Sequence, residues 1–335
     1  TFGTNGFYQK YASTELADSF ADSSATDLEK TFTPSESLTC DVLLVGGGGG
    51  GWGSRYGAGG AGGMVESTGF AVTAQEYPVV VGDGGISQVS GTLGLADGND
   101  TTFSTLTAYG GAGGVGGSGT GRNGGCGGGG TDNLAGGTGS QGGDGGAGYG
   151  NDGQFGSGGG GGAGGNGSDG TTSAAGVGGI GLQNAYRTGS NIYYAGGGGG
   201  GQLTGTGGVG GTGGGGTGGS YGLASSVQAT SGTDGLGGGG GGGAKGGNLG
   251  GGSGGSGIVV IRYISTTVKA TGGTITSYVS GDTYQVHTFL KSPHILTANG
   301  DATNTTAQQK VGDSSIAFDG SDWLDASDCA DWNFG

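Results

Sequence analysis

The sequence is poor in charge, in proline and in cysteine. Charged residues make up 10% of the chain, against the roughly 25% of ordinary globular domains, and only 3 of the 335 residues are proline. The 10 Lys and Arg residues are scattered among 25 Asp and Glu residues, which leaves a net charge of −15. This charge balance excludes nucleic acid as an expected partner, because phosphate binding requires clustered basic side chains.

Other classes of protein are excluded by what the chain does not contain. No run approaches the length of about 18 apolar residues that a membrane span needs, so we expect no membrane insertion. Cys40, Cys126 and Cys329 lie far apart, without a CxxC spacing, and give neither a disulfide framework nor a metal site. His287 falls in an alternating strand pattern, where we expect a structural role. Without a nucleophile–base constellation, we expect no enzyme activity, no cofactor and no metal.

Glycine is the residue that is abundant, with 102 copies. A run such as Gly46–Gly51 would cost about 1 kcal/mol per residue in an α-helix relative to Ala, and as a strand it would lack side chains to pack. Collagen requires an unbroken Gly-X-Y period with abundant Pro. The remaining ordered state is the polyproline II conformation, with three residues per turn, whose backbone groups point outward and can bond to neighbouring helices in a hexagonal lattice.

Strand patterns frame the glycine runs. Cys40–Val45 precedes the first run and Gly257–Tyr263 follows the last, and both are apolar and β-branched. Glu76–Gly85 and Thr101–Gly111 each predict a further strand, and Thr274–Leu290 predicts a hairpin. The pattern for a helix is confined to one short turn at residues 13–24. The predicted fold is therefore all-β plus polyglycine II helices, a hexagonally packed bundle capped by strands, with almost no α-helix.

Three nucleotide- or ion-binding patterns occur in the glycine runs and are rejected. Gly46, Gly48 and Gly51 satisfy G-x-G-x-x-G, but no helix pattern follows them, as dinucleotide binding would require. The glycines before Lys245 lack the Ser or Thr that a P-loop needs after the Lys. Residues 148–155 resemble a calcium-binding nonapeptide repeat that occurs only once, whereas such sites are built from consecutive turns.

The order of the framing segments resembles a known family. "VLLVGGGGGG", "YPVVVGDGG", "FSTLTAYGGAGG" and "GGSGGSGIVVIRY" are similar to the glycine-rich, polyglycine-sandwich domain of bacteriophage tail-fibre and adhesin proteins over roughly residues 40–264. Residues 297–335 resemble the start of a laminin-G-like, concanavalin-type jelly roll. The expected organisation is a linker at 1–39, the glycine-rich domain at 40–265, a β-hairpin connector at 266–292 and a truncated β-sandwich at 293–335.

The resemblance implies a function in attachment. In such adhesins the glycine helices alternate with variable loops that touch the host receptor, and Tyr, Trp, Ser, Gly and Asn are typical of binding loops. The matching loops here carry ten candidate receptor-binding residues, unless these aromatics merely cap the lattice. They are Trp52, Arg55, Tyr56, Tyr149, Phe155, Tyr186, Arg187, Tyr193, Tyr194 and Tyr221.

The expected protein is thus a structural and receptor-binding segment of an extracellular virion tail fibre. Its partners would be a host cell-surface glycan or outer-membrane protein and other fibre proteins, and the resemblance favours a homotrimer. Two alternatives stay open. One is an ice-binding polyglycine protein, which would need one regular face of small residues. The other is a passive extracellular or filament-forming structural protein.

Overall fold

The computed structural model describes residues 31–53, 57–87, 96–116, 119–131, 133–143, 156–203, 205–221, 226–244 and 250–291, together with four short strands between 297 and 325. The chain forms two compact units, one of residues Asp27–Lys291 and one of Thr1–Thr26 with Ser292–Gly335. The described residues contain strands and no α-helix. The helical turn predicted at 13–24 lies outside the described residues.

The described residues of the first unit contain fourteen strands, most of them short. They are β1 (Thr31–Pro34), β2 (Leu38–Val45), β3 (Met64–Val72), β4 (Tyr77–Val80), β5 (Thr101–Phe103), β6 (Leu106–Ala108), β7 (Leu182–Asn184), β8 (Ile192–Tyr194), β9 (Ser220–Tyr221), β10 (Ser226–Val227), β11 (Ile258–Ile264), β12 (Ala270–Thr271), β13 (Thr274–Ser280) and β14 (Asp282–Leu290).

Two five-stranded antiparallel sheets hold the main apolar core between them. Their strand orders are β12-β1-β4-β5-β6 and β13-β14-β11-β2-β3. We call the second the central sheet, because both of its faces are covered. One face packs against the other sheet through Val42, Leu44 and Phe103, and the opposite face carries Leu43 and Val45 toward the glycine segments. β2 is therefore apolar without alternation at this point, as expected for a strand buried on both sides.

The predicted strands are confirmed, with one difference. β2 and β11 pair with each other directly, Val45 opposite Ile258, so the chain leaves the sheet for the glycine bundle and returns to it side by side. The segment predicted as one strand from Thr101 forms two, β5 and β6, which pair in a tight hairpin. Ser104 at its tip has φ of 52°, a left-handed conformation that turns the chain.

The glycine segments form the predicted threefold helices. The amides of Gly46–Gly51 donate to three neighbouring segments in turn. Two amides that are three residues apart therefore bond to the same segment. The acceptors are, in order, Gly63, Asn99, Gly255, Gly60, Ala96 and Gly252, at 2.7 to 3.0 Å. None of these six glycines has a positive φ. The rotation by one third of a turn per residue is that of the polyproline II helix.

The carbonyl groups of the same run bond to three other segments. They accept from Gly111, Gly85, Gly240 and Gly114, which belong to the segments near 110, 84 and 240. Gly46–Gly51 is therefore surrounded by six neighbours, three that accept its amides and three that donate to its carbonyls. This is hexagonal packing, and Gly196–Gly201 is another helix that bonds to segments on all sides.

The packing leaves no room for side chains in the bundle interior. A Cβ built on Gly47 would overlap the carbonyl of Asp83, and one built on Gly48 would overlap that of Gly238. Neighbouring backbones approach to distances that only the absence of a side chain permits. The few side chains inside are small, such as Ala58, Ala61 and Cys126.

Two segments that the sequence assigns to a linker and a connector belong to the first unit. β1, within the predicted linker at 1–39, pairs with both β4 and β12. The hairpin β13–β14, within the predicted connector at 266–292, continues the central sheet because β14 pairs with β11 along seven residues. The unit therefore extends to Lys291, beyond the predicted boundary at 265.

The second unit is described only as two strand pairs. β15 (Thr297–Asn299) pairs with β18 (Trp323–Asp325), and β16 (Thr303–Thr305) pairs with β17 (Ser315–Ala317), both antiparallel. The laminin-G-like identity of residues 293–335 stays a prediction.

Candidate binding surfaces

The glycine bundle has two ends of different character. At one end, which we call the proximal end, the helices meet the central sheet: Gly46 follows β2, and Gly257 precedes β11. At the other, the distal end, the helices are joined by loops. Because Gly46–Gly51 runs from one end to the other, the residues around Gly51 and Trp52 mark the distal end.

Trp52 is the centre of the distal end. Its amide donates to the carbonyl of Gly57 at 3.4 Å, and its carbonyl accepts from the amide of Gly243 at 2.8 Å. Its indole covers Gly116, where an added Cβ would lie 2.5 Å from the ring. Gly57, Gly116 and Gly243 therefore all lie beside Trp52. The side chain itself is only 6% exposed, so it caps the bundle.

Tyr221 lies at the distal end too, and is partly exposed. Its amide donates to the carbonyl of Gln202 at 3.1 Å, and the amide of Gln202 donates to Gly219 at 3.0 Å. Ser157 and Gly201 bond to each other nearby, through backbone and hydroxyl. These contacts attach Tyr221 to the lattice helices.

Four candidate residues lie instead at the proximal end, in the hairpin β7–β8. Tyr186 is 6% exposed and Tyr194 is fully buried, while Arg187 and Tyr193 are partly exposed. Burial raises the pKa of the Tyr194 hydroxyl, and the neighbouring guanidinium of Arg187 acts against that rise in pKa. Tyr186 and Tyr194 belong to the core between this hairpin and the central sheet.

Glu66 of β3 fastens the hairpin to the central sheet. Its two carboxylate oxygens accept from the Asn184 amide at 2.9 Å and from the Tyr186 hydroxyl at 2.7 Å. Burial, followed by the hydrogen bond to Glu66, raises the pKa of Tyr186. The Tyr186 hydroxyl therefore donates its hydrogen bond to Glu66, and this one carboxylate bonds to two residues of the hairpin.

Arg262 of β11 completes this attachment. Its guanidinium lies between two rings, 3.9 Å from the centre of Tyr186 and 4.5 Å from that of Tyr284, a cation–π geometry. Its Nε and Nη2 donate to Asp41 Oδ2 at 3.0 and 2.9 Å, and its Nη1 donates to the Tyr278 hydroxyl at 2.6 Å. Burial would lower the pKa of Arg262, but the hydrogen bonds to Tyr278 and Asp41 raise it overall.

The structure describes six of the ten candidates and separates them by burial. Trp52, Tyr186 and Tyr194 are buried, which leaves them no free surface for a receptor. Arg187, Tyr193 and Tyr221 keep part of their surface exposed. Sequence reasoning missed the network of Asp41, Glu66 and Arg262, although a charged residue inside an apolar strand was a visible signal for two of its members. The remaining four candidates lie outside the described residues, namely Arg55, Tyr56, Tyr149 and Phe155.

A second surface was also missed, on the outer layer of the bundle. The segment 205–212 pairs antiparallel with 214–220, and 214–220 pairs in the same way with 228–235. Exposed side chains recur on this layer at intervals of three residues. They are Thr206, Val209 and Thr212 on one helix, Thr217 on the next, and Val227, Thr230 and Thr233 at the edge. We call these residues the threonine–valine layer.

The rest of the described chain shows few groups that could bind a metal or react. Among the described residues, no three His, Cys, Asp or Glu side chains are arranged to hold a metal ion. Burial raises the pKa of Cys40 and of Cys126 to about 12. The described segments contain no helix of the length and apolarity that crossing a bilayer requires.

The fold and these surfaces define a glycine-rich bundle capped by β-sheets. The family model of the glycine-rich domain matches residues 25–264, which is more than half of the chain, and the chain belongs to that family. The match begins before β1 and ends with β11, so it covers both the bundle and most of the capping strands. Among curated proteins, none matches this sequence.

Proposed function

We propose that this chain is the glycine-rich segment of a viral tail fibre, of the bacteriophage type, and that it mediates attachment to a host cell. The single observation that supports this proposal is the polarity of the bundle. Its proximal end is closed by two sheets and a docked hairpin, whereas loops at its distal end begin on helices fixed by the lattice. Binding residues placed on a rigid scaffold lose little entropy when they engage a partner.

The receptor in this proposal is a cell-surface glycan or an outer-membrane protein. The partly exposed Tyr221 provides an aromatic group at the distal end, and Arg55 and Tyr56, which lie between Gly53 and Gly57 in the sequence, are further candidates. Each contact would be weak, and several fibres on one virion would raise avidity by about 10²–10⁴-fold where geometry permits. The protein would act outside the cell, as part of the virion and without catalysis.

Binding of the full chain to bacterial surfaces tests the proposal. The probes are a panel of lipopolysaccharides and outer-membrane vesicles on a biosensor. We expect binding to at least one, and a loss of tenfold or more in the variants Tyr221→Ala and Arg55→Ala/Tyr56→Ala. The matched control is Tyr109→Ala, because Tyr109 is 47% exposed at the proximal end. Absence of binding to the whole panel, or an equal loss in Tyr109→Ala, would contradict the proposal.

The threonine–valine layer favours a second candidate function, ice binding. The layer supplies the regular face of small side chains that this function needs, and Asp234 is the only charged residue in 205–221 and 226–235. Thermal hysteresis of the purified chain tests it directly. A measurable freezing-point gap that Val209→Lys abolishes would establish this candidate, and its absence would remove it.

A further inference from the structure

β13 is an edge strand without the usual protection. It forms one side of the central sheet, and its backbone pairs with β14 along all seven residues. Among the described residues, no other strand or loop bonds to its backbone. Natural proteins block such edges with charge, proline, bulges or short length, because an open edge is a template for another strand. β13 has no charge, no proline and no register shift.

The three other edges of the two sheets differ from β13. β12 and β6 are two and three residues long. β3 carries the charge of Glu66, its pairing with β2 is interrupted by a register shift, and Gly69 has φ of 69°. The open character is therefore specific to β13 and is not a general property of this fold.

The residues of β13 are arranged almost symmetrically about Ser277. Ile275 and Val279 lie two positions on either side and point to the same face, since side chains alternate along a strand. They are 39% and 75% exposed, although both are apolar. Thr274 and Ser280 mark the two polar ends. A strand with this symmetry is complementary to a second copy of itself in the antiparallel direction.

We propose that two copies of this chain associate through β13, antiparallel and centred on Ser277, so that the two central sheets become one sheet of ten strands. In this register Ile275 of each copy lies opposite Val279 of the other. The same apolar pair therefore forms twice, and it covers all four exposed side chains. Cross-strand pairs of this kind stabilise antiparallel sheets. No charge opposes the approach of the two strands, although the chain as a whole carries −15.

The symmetry of the contact sets the number of subunits. Pairing of an edge with itself is isologous and closes at two copies. The expected particle is therefore a dimer, in contrast to the trimer that the family resemblance favours. The inference is independent of the proposed function, because the distal end takes no part in it.

Disulfide trapping in the full chain tests the register. In a Cys329→Ser background, Ser277→Cys places two thiols directly opposite each other, with Cβ atoms about 4.5–5.5 Å apart. Thr274→Cys is the matched control. In this register Thr274 of one copy lies opposite Ser280 of the other, so the two Thr274 positions are six residues, or about 20 Å, apart along the strands. We expect mild oxidation to convert most of the Ser277→Cys chain to covalent dimer and to leave the Thr274→Cys chain uncrosslinked. Equal crosslinking, or none in either, would overturn the proposal.

Sedimentation of the full chain gives an independent readout. We expect a dimer whose dissociation constant rises at least tenfold in Val279→Lys and stays unchanged in Val209→Lys, which places the same charge on the bundle at a site 62% exposed. Unchanged melting temperatures would show that both variants fold. A monomer at all concentrations, a trimer, or a dimer that Val279→Lys leaves intact would each refute the pairing.

Discussion

The guanidinium carbon of Arg262 lies 3.9 Å from the centre of the Tyr186 ring. The two residues are far apart in the chain and belong to different parts of the fold, since Arg262 lies on β11 and Tyr186 follows β7. Their contact, together with the bond from Tyr186 to Glu66, joins a connection between glycine helices to the central sheet. The bundle and its cap are thereby held by specific polar contacts as well as by apolar burial.

Replacement of Glu66 by Gln tests the strength of this attachment. We expect Glu66→Gln to lower the free energy of unfolding by about 1–3 kcal/mol, because hydrogen bonds to a charged acceptor contribute more than neutral ones. Chemical denaturation measures the change. Asn191→Ala serves as control, since Asn191 bonds only at an exposed site, to Gln183 at 3.2 Å, and should stay within about 0.5 kcal/mol of the parent. Equal effects would show that Glu66 contributes nothing specific.

Alanine substitutions in the lattice should depend on position rather than on glycine content. In Gly48→Ala the new Cβ overlaps the carbonyl of Gly238, so two backbones must separate, and we expect a loss of about 3 kcal/mol or more. In Gly165→Ala the nearest atom is the flexible Ile180 Cγ2 at 3.3 Å, and the loss should stay below about 1 kcal/mol. Thermal unfolding of both variants makes the comparison, and a well-folded Gly48→Ala of parental stability would contradict close packing.

His287 should make the protein sensitive to acid. Its ring is fully buried between Phe32 and Tyr263, with Nδ1 at 2.8 Å from the Gly272 carbonyl. Burial lowers the pKa of His287 below its ordinary 6.5, and the bond to Gly272 opposes this only in part. The unfolded chain then binds the proton more tightly than the folded chain, so stability is present above pH 6.5 and is lost as the pH falls below it.

The variant His287→Gln isolates this contribution. Between pH 7 and pH 5, unfolding measured by denaturant should show a steeper loss of stability for the parent than for the variant, which carries no titrating group at the position. Parallel stability profiles would show that His287 does not cause the acid sensitivity.

The two described cysteines should be unreactive in the folded protein. Cys40 and Cys126 are buried, and the pKa of each thiol is raised to about 12, so the nucleophilic thiolate is scarce at neutral pH. In a Cys329→Ser background we expect no alkylation by iodoacetamide at pH 8 over an hour, and two alkylated sites per chain in guanidinium chloride. Mass spectrometry counts them, and rapid labelling of the folded chain would refute the burial.

Patterns in the sequence were sufficient to predict the glycine helices and several of the strands, but not β1, β3, β7 to β10 or β12. β2, β11 and the β13–β14 hairpin were recognisable from apolar runs and alternation, and the lattice followed by elimination of other conformations for Gly46–Gly51. The location of side chains at one end of the bundle or the other was not predictable. It depends on which helices neighbour each other, and hydrogen bonds between glycines carry no sequence signal for that choice.

The same difficulty explains the candidate binding residues. Trp52 and Tyr186 occur in loops of mixed polar composition, which is typical of recognition and equally typical of a cap. Only the three-dimensional positions of Gly116 and Arg262 show that both rings are covered. The threefold spacing of Thr206, Val209 and Thr212, by contrast, was visible in the sequence and needed only the threefold helix to be read as a single row.

The three-residue rotation of Gly46–Gly51 also restricts how such a chain can change over generations. An insertion of three residues in a lattice helix lengthens it by one turn and keeps every later residue in phase, whereas one or two residues turn all later positions toward different neighbours. Diversity should therefore accumulate in the loops and, on the outer helices, in the one position per turn that faces water, while lengths inside the lattice change in multiples of three.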